Sequence, residues 1–178
     1  SKVAAVLRWP VPKSIKAVRG FLGLTGYYRR FIRNYGKIAQ PLTTLFKNKS
    51  VSIFCWTREV DASFRELQQA LVTAPVLSMP DFSKTFVIEC DASGSGLGAV
   101  LMQTNQPIAY FSKGLSAQTK SLSTYKKELM ALVLAIQQWR PYLLGQRFVV
   151  RTDHRSLRHL LHQKIAAPAQ QLWVAKLL

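Results

Sequence analysis

Carboxylates are scarce in this chain of 178 residues: eight Asp and Glu stand against 25 Lys and Arg, for a formal charge of +17 and a pI near 10.4. The shortage is uneven, because every acid lies between Glu59 and Asp153 and both ends are purely basic. Such an excess of cations far exceeds what solubility requires and implies a polyanionic partner, most simply nucleic acid. Long apolar runs are missing as well, so no segment reads as a membrane span, and "SKVAAVLRWP" at the start lacks the apolar core of a signal peptide. No membrane partner is therefore expected, and the chain reads as soluble and intracellular. Cysteine is limited to Cys55 and Cys90, without metal-ligand spacing, so both are expected to be reduced packing residues. Repeats and low-complexity tracts are absent.

What is present divides into two patterns. From Ser1 to about Pro80 the chain reads as helical. Ser14 is suited to cap a helix carrying Ile15, Val18, Phe21 and Leu22, Gly26 breaks that pattern, and a later stripe of Phe64, Leu67 and Leu71 ends at Pro75. Residues 81–178 then turn to short strands, about Thr85 to Cys90, Gly98 to Gln103 and Ile108 to Ser112, joined as hairpins. "STYKKELMALVLAIQQWRPYLLG" follows as a long helix with an apolar stripe through Tyr125, Leu129, Leu132, Val133, Ile136 and Trp139, ahead of a last strand, "RFVVRTD". Three strands, a helix and a strand form an α/β (α+β) pattern in which the last strand can pair in parallel with the first. In that arrangement Glu89 and Arg151 sit side by side and are expected to form a salt bridge.

"FVIECDASGSGLGAVL" ends a buried strand in a carboxylate, Asp91, sharing a face with Glu89. Parallel pairing brings Asp153, at the end of the last strand, to the same end of the sheet. Glu128 lies within the inward stripe of the long helix, where a lone carboxylate is costly. Three converging acids repel unless a divalent cation with oxygen ligands joins them, and Mg²⁺ fits best. Beside a basic surface this suggests metal-assisted phosphodiester cleavage. Gly94, Gly96 and Gly98 connect strand to strand and so read as a hairpin, since a phosphate-cradling loop should open a helix. His154, His159 and His162 lack zinc-helix spacing and fit surface or backbone contact with nucleic acid. Tyr27, Tyr28, Arg29, Arg30 and Arg33 interleave aromatics with cations, as nucleic-acid contact requires, while Tyr28 and Phe31 are also expected in the helical core.

"ECDASGSGLGAVL", "YKKELMALVLAIQQWRPYLLG" and "VVRTDHRSL" resemble the first three acidic motifs of the RNase H domain in gypsy-type LTR retrotransposon Pol polyproteins. "VRGFLGLTGYYRRFIRNYGKIAQPL" and "LVTAPVLSMPDF" resemble the preceding reverse-transcriptase thumb and its junction. The resemblance implies a helical thumb over 1–80 and an RNase H-like mixed sheet over 81–178 that lacks its last strand. It further implies that Asp91, Glu128 and Asp153 hold two Mg²⁺ ions that cleave the RNA of an RNA/DNA hybrid, with Tyr27, Tyr28, Arg29, Arg30, Arg33, His154 and Arg155 contacting nucleic acid. The location it implies is a cytoplasmic retrotransposon particle or the nucleus. Lys126 stands where the family commonly has Glu. The family also has a fourth catalytic Asp, whereas no acid follows Asp153 here, so weak hydrolysis is expected of these residues alone. The polymerase palm and fingers would be partners elsewhere in the polyprotein. The competing expectation is a non-catalytic nucleic-acid-binding module with the same fold.

Overall fold

The computed structural model describes residues 6–46, 54–74 and 77–152; Asp153, His154 and Arg155 lie outside them. Two hydrophobic clusters organise these residues.

The first is helical. Helix α1, Ile15–Tyr27, starts at Ser14, whose hydroxyl accepts the Ala17 N–H at 3.2 Å and satisfies one orphan donor of the first turn. It continues one residue past Gly26 before a 3₁₀ turn, Arg29–Phe31, and the short helices α2, Tyr35–Ile38, and α3, Gln40–Thr44. Thr57 caps α4, Arg58–Val72, in the same manner, its hydroxyl accepting from Val60 N–H. Val18 and Phe21 of α1 pack with Leu42, Phe64 and Leu67, all fully buried. Leu71, the third residue of the α4 stripe, is half-buried. Ile32 and Tyr35, rather than Tyr28 and Phe31, supply the core residues of the 28–36 segment. The reason is the 3₁₀ turn, whose three-residue period carries Tyr28 and Phe31 to a half-exposed side.

The second cluster forms around a four-stranded sheet. Strands β1, Phe86–Ala92, β2, Gly96–Gln103, β3, Gln106–Gly114, and β4, Phe148–Arg151, lie in the order β3-β2-β1-β4. The two hairpins are antiparallel, and β4 joins β1 in parallel through a crossover containing α5, Ala117–Lys120, α6, Thr124–Gln138, and α7, Arg140–Leu143. Phe86, Ile88 and Cys90 face α6 and pack with Ala131, Leu132 and Ala135. The β2–β3 turn places Thr104 and Asn105 at φ of 49° and 61°, the left-handed pair that matches the twist of a two-residue hairpin. Ser93 closes the β1–β2 hairpin: its N–H donates to the Gly96 carbonyl at 2.9 Å, and its hydroxyl accepts from Gly96 N–H at 3.1 Å.

The register pairs Glu89 with Arg151 across β1 and β4, as alternation predicts, but the expected salt bridge does not form. Among the described residues the ion pairs are the short-range Asp61–Arg65 and Asp81–Lys84. Glu89 and Arg151 are both exposed, where solvation and side-chain entropy offset the Coulomb attraction.

Cys90 is buried and Cys55 exposed, so only the first is a packing residue; Cys55 lies in the extended stretch before α4, where no element covers it. Burial pushes the Cys90 thiol up to about 12, and the Glu128 and Glu89 carboxylates add to the shift. Because the thiolate is the nucleophile, a maleimide at neutral pH should label one thiol per folded chain, Cys55, and two after unfolding. Mass spectrometry of the labelled protein checks this; rapid labelling of Cys90 in the folded state would contradict its placement.

Candidate active site and nucleic-acid surface

Asp91 lies near the C-terminal end of β1, opposite Gly98 of β2, with its side chain exposed. Glu128 reaches the same end of the sheet from the second turn of α6. Ser123 begins that helix, its hydroxyl accepting the Lys126 N–H at 3.4 Å, which sets Glu128 toward the sheet. Glu128 is 5% exposed, and its Oε2 accepts a hydrogen bond from Thr152 Oγ1 at 3.3 Å. Thr152 directly follows β4. One end of the parallel pair thus carries an exposed carboxylate, a buried carboxylate and the hydroxyl that holds it. Thr152 was not among the sequence-derived candidates, although its place just before an acid at a strand end was a usable signal.

Asp153, the third expected acid, is outside the described residues, and so are His154, Arg155, His159 and His162. Among the described residues no group of three His, Cys, Asp or Glu side chains is close enough to hold a metal ion. Each carboxylate suits a hard divalent cation, which takes carboxylate oxygens, but alternation turns Asp91 to the face of Glu89, away from α6, so the described residues bring Asp91 and Glu128 to one end of the sheet from opposite faces.

Tyr27, Arg29, Arg30 and Arg33, the expected nucleic-acid contacts, fall into different settings. Tyr27 is 74% exposed and meets Tyr28 edge-on, with ring centroids 5.0 Å apart. Arg29 is engaged within the protein: its guanidinium donates to the Ser112 carbonyl of β3 and lies 5.8 Å from the Tyr35 ring centroid. Arg30 sits over Phe31 at 4.7 Å. Arg29 and Arg30 also line a cleft of about 430 Å³ with Lys113, Tyr110, Trp139 and Tyr142, cations and aromatic rings without a carboxylate. Arg33 lines two further clefts, a narrow one of about 30 Å³ with Asn34, Glu89, Asp91 and Gly98 and a wider one of about 480 Å³ with Asn34, Lys37, Glu59 and Glu66.

Gly36 joins the helical unit to the sheet. Its N–H donates to Ser112 Oγ at 2.6 Å, and a Cβ at Gly36 would lie 2.8 Å from that oxygen and 3.1 and 3.2 Å from the backbone nitrogens of Gly114 and Lys113. Only a glycine lets α2 approach β3 this closely.

Residues 56–150 match the family model described as the RNase H-like domain found in reverse transcriptase. The chain therefore belongs to that family. It is 41% identical over 176 residues to the retrovirus-related Pol polyprotein from transposon 297 of Drosophila melanogaster, a match covering 99% of this chain and 16% of that polyprotein. It is 36% identical over 167 residues to the Pol polyprotein from transposon gypsy of the same organism, covering 88% of this chain and 16% of the relative. The chain thus spans about a sixth of these relatives. Among solved structures, the foamy viral protease-reverse transcriptase in complex with RNA/DNA hybrid superposes with a TM-score of 0.80 at 22% identity, over 98% of this chain and 25% of that one. The dRH form in complex with double-stranded DNA gives 0.85, over 98% and 32%. The superpositions and the matched family model together give the chain an RNase H-like fold. Among the described residues no helix is long and apolar enough to cross a membrane.

Proposed function

We propose that this chain is the thumb and RNase H-like part of a retrotransposon reverse transcriptase, with the thumb over about residues 1–80 and the RNase H-like domain from residue 81. Its proposed activity is hydrolysis of the RNA strand of an RNA/DNA hybrid. The observation that carries the reading is the parallel β1–β4 pair, which puts Asp91 and the Thr152–Glu128 hydrogen bond at one end of the sheet. Asp91, Glu128 and Asp153 would hold Mg²⁺, which supplies an activated water and stabilises the leaving oxygen when bound. In this reading Thr152 fixes the Glu128 carboxylate, and the sheet fixes Asp91. Polymerase activity and the remaining partners would belong to other parts of the polyprotein.

The net charge favours strong electrostatic binding whether or not cleavage occurs. Three phosphate contacts would weaken binding roughly fortyfold between about 50 and 200 mM salt, through loss of counterion release. Fluorescence anisotropy of a labelled hybrid across that range measures the slope; a flat response would remove nucleic acid as the partner. Gel analysis of RNA cleavage with and without Mg²⁺ then tests the hydrolytic reading against a binding module that keeps the same fold.

A further inference from the structure

Asn34 has left-handed backbone angles, φ 57° and ψ 23°, at the start of α2. A non-glycine residue there is strained unless its side chain has a use, and Asn tolerates the conformation better than most. Asn34 does not use its side chain to cap the helix it precedes; its carboxamide lies instead over the sheet. A Cβ added to Gly98 would be 3.4 Å from Asn34 Oδ1. Gly98 is the cross-strand partner of Asp91, so that missing Cβ would point to the same face as the Asp91 side chain. The helical unit therefore lays a carboxamide over Gly98, on the face that carries the Asp91 side chain. Arg33 lines the same narrow cleft as Asn34 and Asp91, as well as a neighbouring one with Glu59 and Glu66, and, among the described residues, forms no ion pair with any of Glu59, Glu66, Glu89 or Asp91. Arg33 and Asn34 are both exposed. The segment that presents them is fixed at each end on one β3 residue, by Arg29 on the Ser112 carbonyl and Gly36 on the Ser112 hydroxyl.

We propose that Arg33 and Asn34 of the helical unit form part of the substrate site at Asp91, Arg33 pairing with a phosphate and Asn34 with the adjacent ribose 2′-hydroxyl of the strand laid across β1 and β2. This rests on the hybrid-directed reading given above. A guanidinium donates only and suits a phosphate. A carboxamide donates and accepts, as does a 2′-hydroxyl, the group that distinguishes RNA from DNA. The anchoring at Ser112 holds both groups in place before substrate arrives, so little ordering cost falls on binding.

The test measures binding of the 178-residue chain, without metal, to an RNA/DNA hybrid and to a DNA duplex of the same sequence. Arg33→Ala should weaken both about tenfold, the worth of one charged hydrogen bond, and lower the salt slope by about 0.9, with Arg33→Lys recovering part of the loss. Asn34→Gly keeps the left-handed backbone without strain and removes only the carboxamide. It should weaken hybrid binding about threefold to tenfold and leave duplex DNA binding unchanged. Thermal melting of each variant separates lost contacts from lost fold. If wild-type chain binds the hybrid and both variants match it, this inference is overturned while the hybrid-directed function stands. Equal loss on hybrid and DNA from Asn34→Gly overturns the 2′-hydroxyl assignment, and failure of the wild-type chain to bind any hybrid overturns the functional reading itself.

Discussion

An Asp91→Asn chain should keep its fold and its hybrid binding but lose at least about a hundredfold of any Mg²⁺-dependent RNA cleavage. The substitution keeps side-chain volume and removes one negative charge from an exposed strand-end position. Groups that merely orient a metal ligand typically cost 10- to 100-fold when removed, so loss of a ligand sets that range as a floor. Affinity for the nucleic acid should hold or rise, since one carboxylate facing the phosphates is gone. Glu128→Gln should behave similarly, because it removes the negative charge while its amide oxygen can still accept the Thr152 hydroxyl. Asp81→Asn is the control: its carboxylate pairs with Lys84 on the turn before β1 and is remote from the β1–β4 strand end. Single-turnover cleavage assays read the effect, and calorimetric titration with Mg²⁺ gives a second readout where turnover is slow. Cleavage and metal binding undiminished in Asp91→Asn would remove Asp91 from the site. Hybrid binding by the wild-type chain with neither cleavage nor metal binding would favour the non-catalytic module.

A Gly36→Ala chain should lose about 1–3 kcal/mol of stability, the usual cost of forcing a methyl group into filled space. The added Cβ meets Ser112 Oγ at 2.8 Å and two backbone nitrogens of β3 at 3.1 and 3.2 Å. Ser112 can rotate away only by giving up the Gly36 N–H, and the strand backbone cannot yield without disturbing its pairing with β2. Gly94→Ala makes the comparison clean, because a Cβ there meets nothing within 4 Å, and it should stay within about 0.5 kcal/mol of wild type. Urea unfolding midpoints for the two variants measure the difference. Equal midpoints would mean that α2 does not rest on β3 as described. A destabilised Gly36→Ala chain should also lose the hybrid-over-DNA preference assigned to Asn34, because the same contact holds that residue over Gly98.

Much of the sheet was legible in the sequence because its signals are local. Alternation in "FVIEC" placed Phe86, Ile88 and Cys90 on one face, and a helix-length connection to "RFVVR" allowed the parallel β4 that the structure shows. Cap residues were legible for the same reason, since Ser14 acts on a backbone N–H only three residues away. Contacts between units were not. Aromatic neighbours mark Arg29 as a candidate phosphate contact, but nothing near it in the sequence points to the carbonyl 83 residues further along the chain to which it donates.

The sequence by itself determined the class of fold, the basic character of the chain and the strand-end position of Asp91, since composition and period fix these without long-range information. Tertiary structure alone decided which polar groups surround that acid. Glu128 is held by Thr152, while Glu89 and Arg151 stand in register without pairing, because burial rewards a hydrogen bond and exposure gives an ion pair little. Asn34 comes to lie over Gly98, the partner of Asp91, because Gly36, 62 positions before Gly98 in sequence, has no side chain where α2 meets the backbone of β3. Close packing between distant segments depends on volumes absent from both at once, and no window along the chain contains that coincidence.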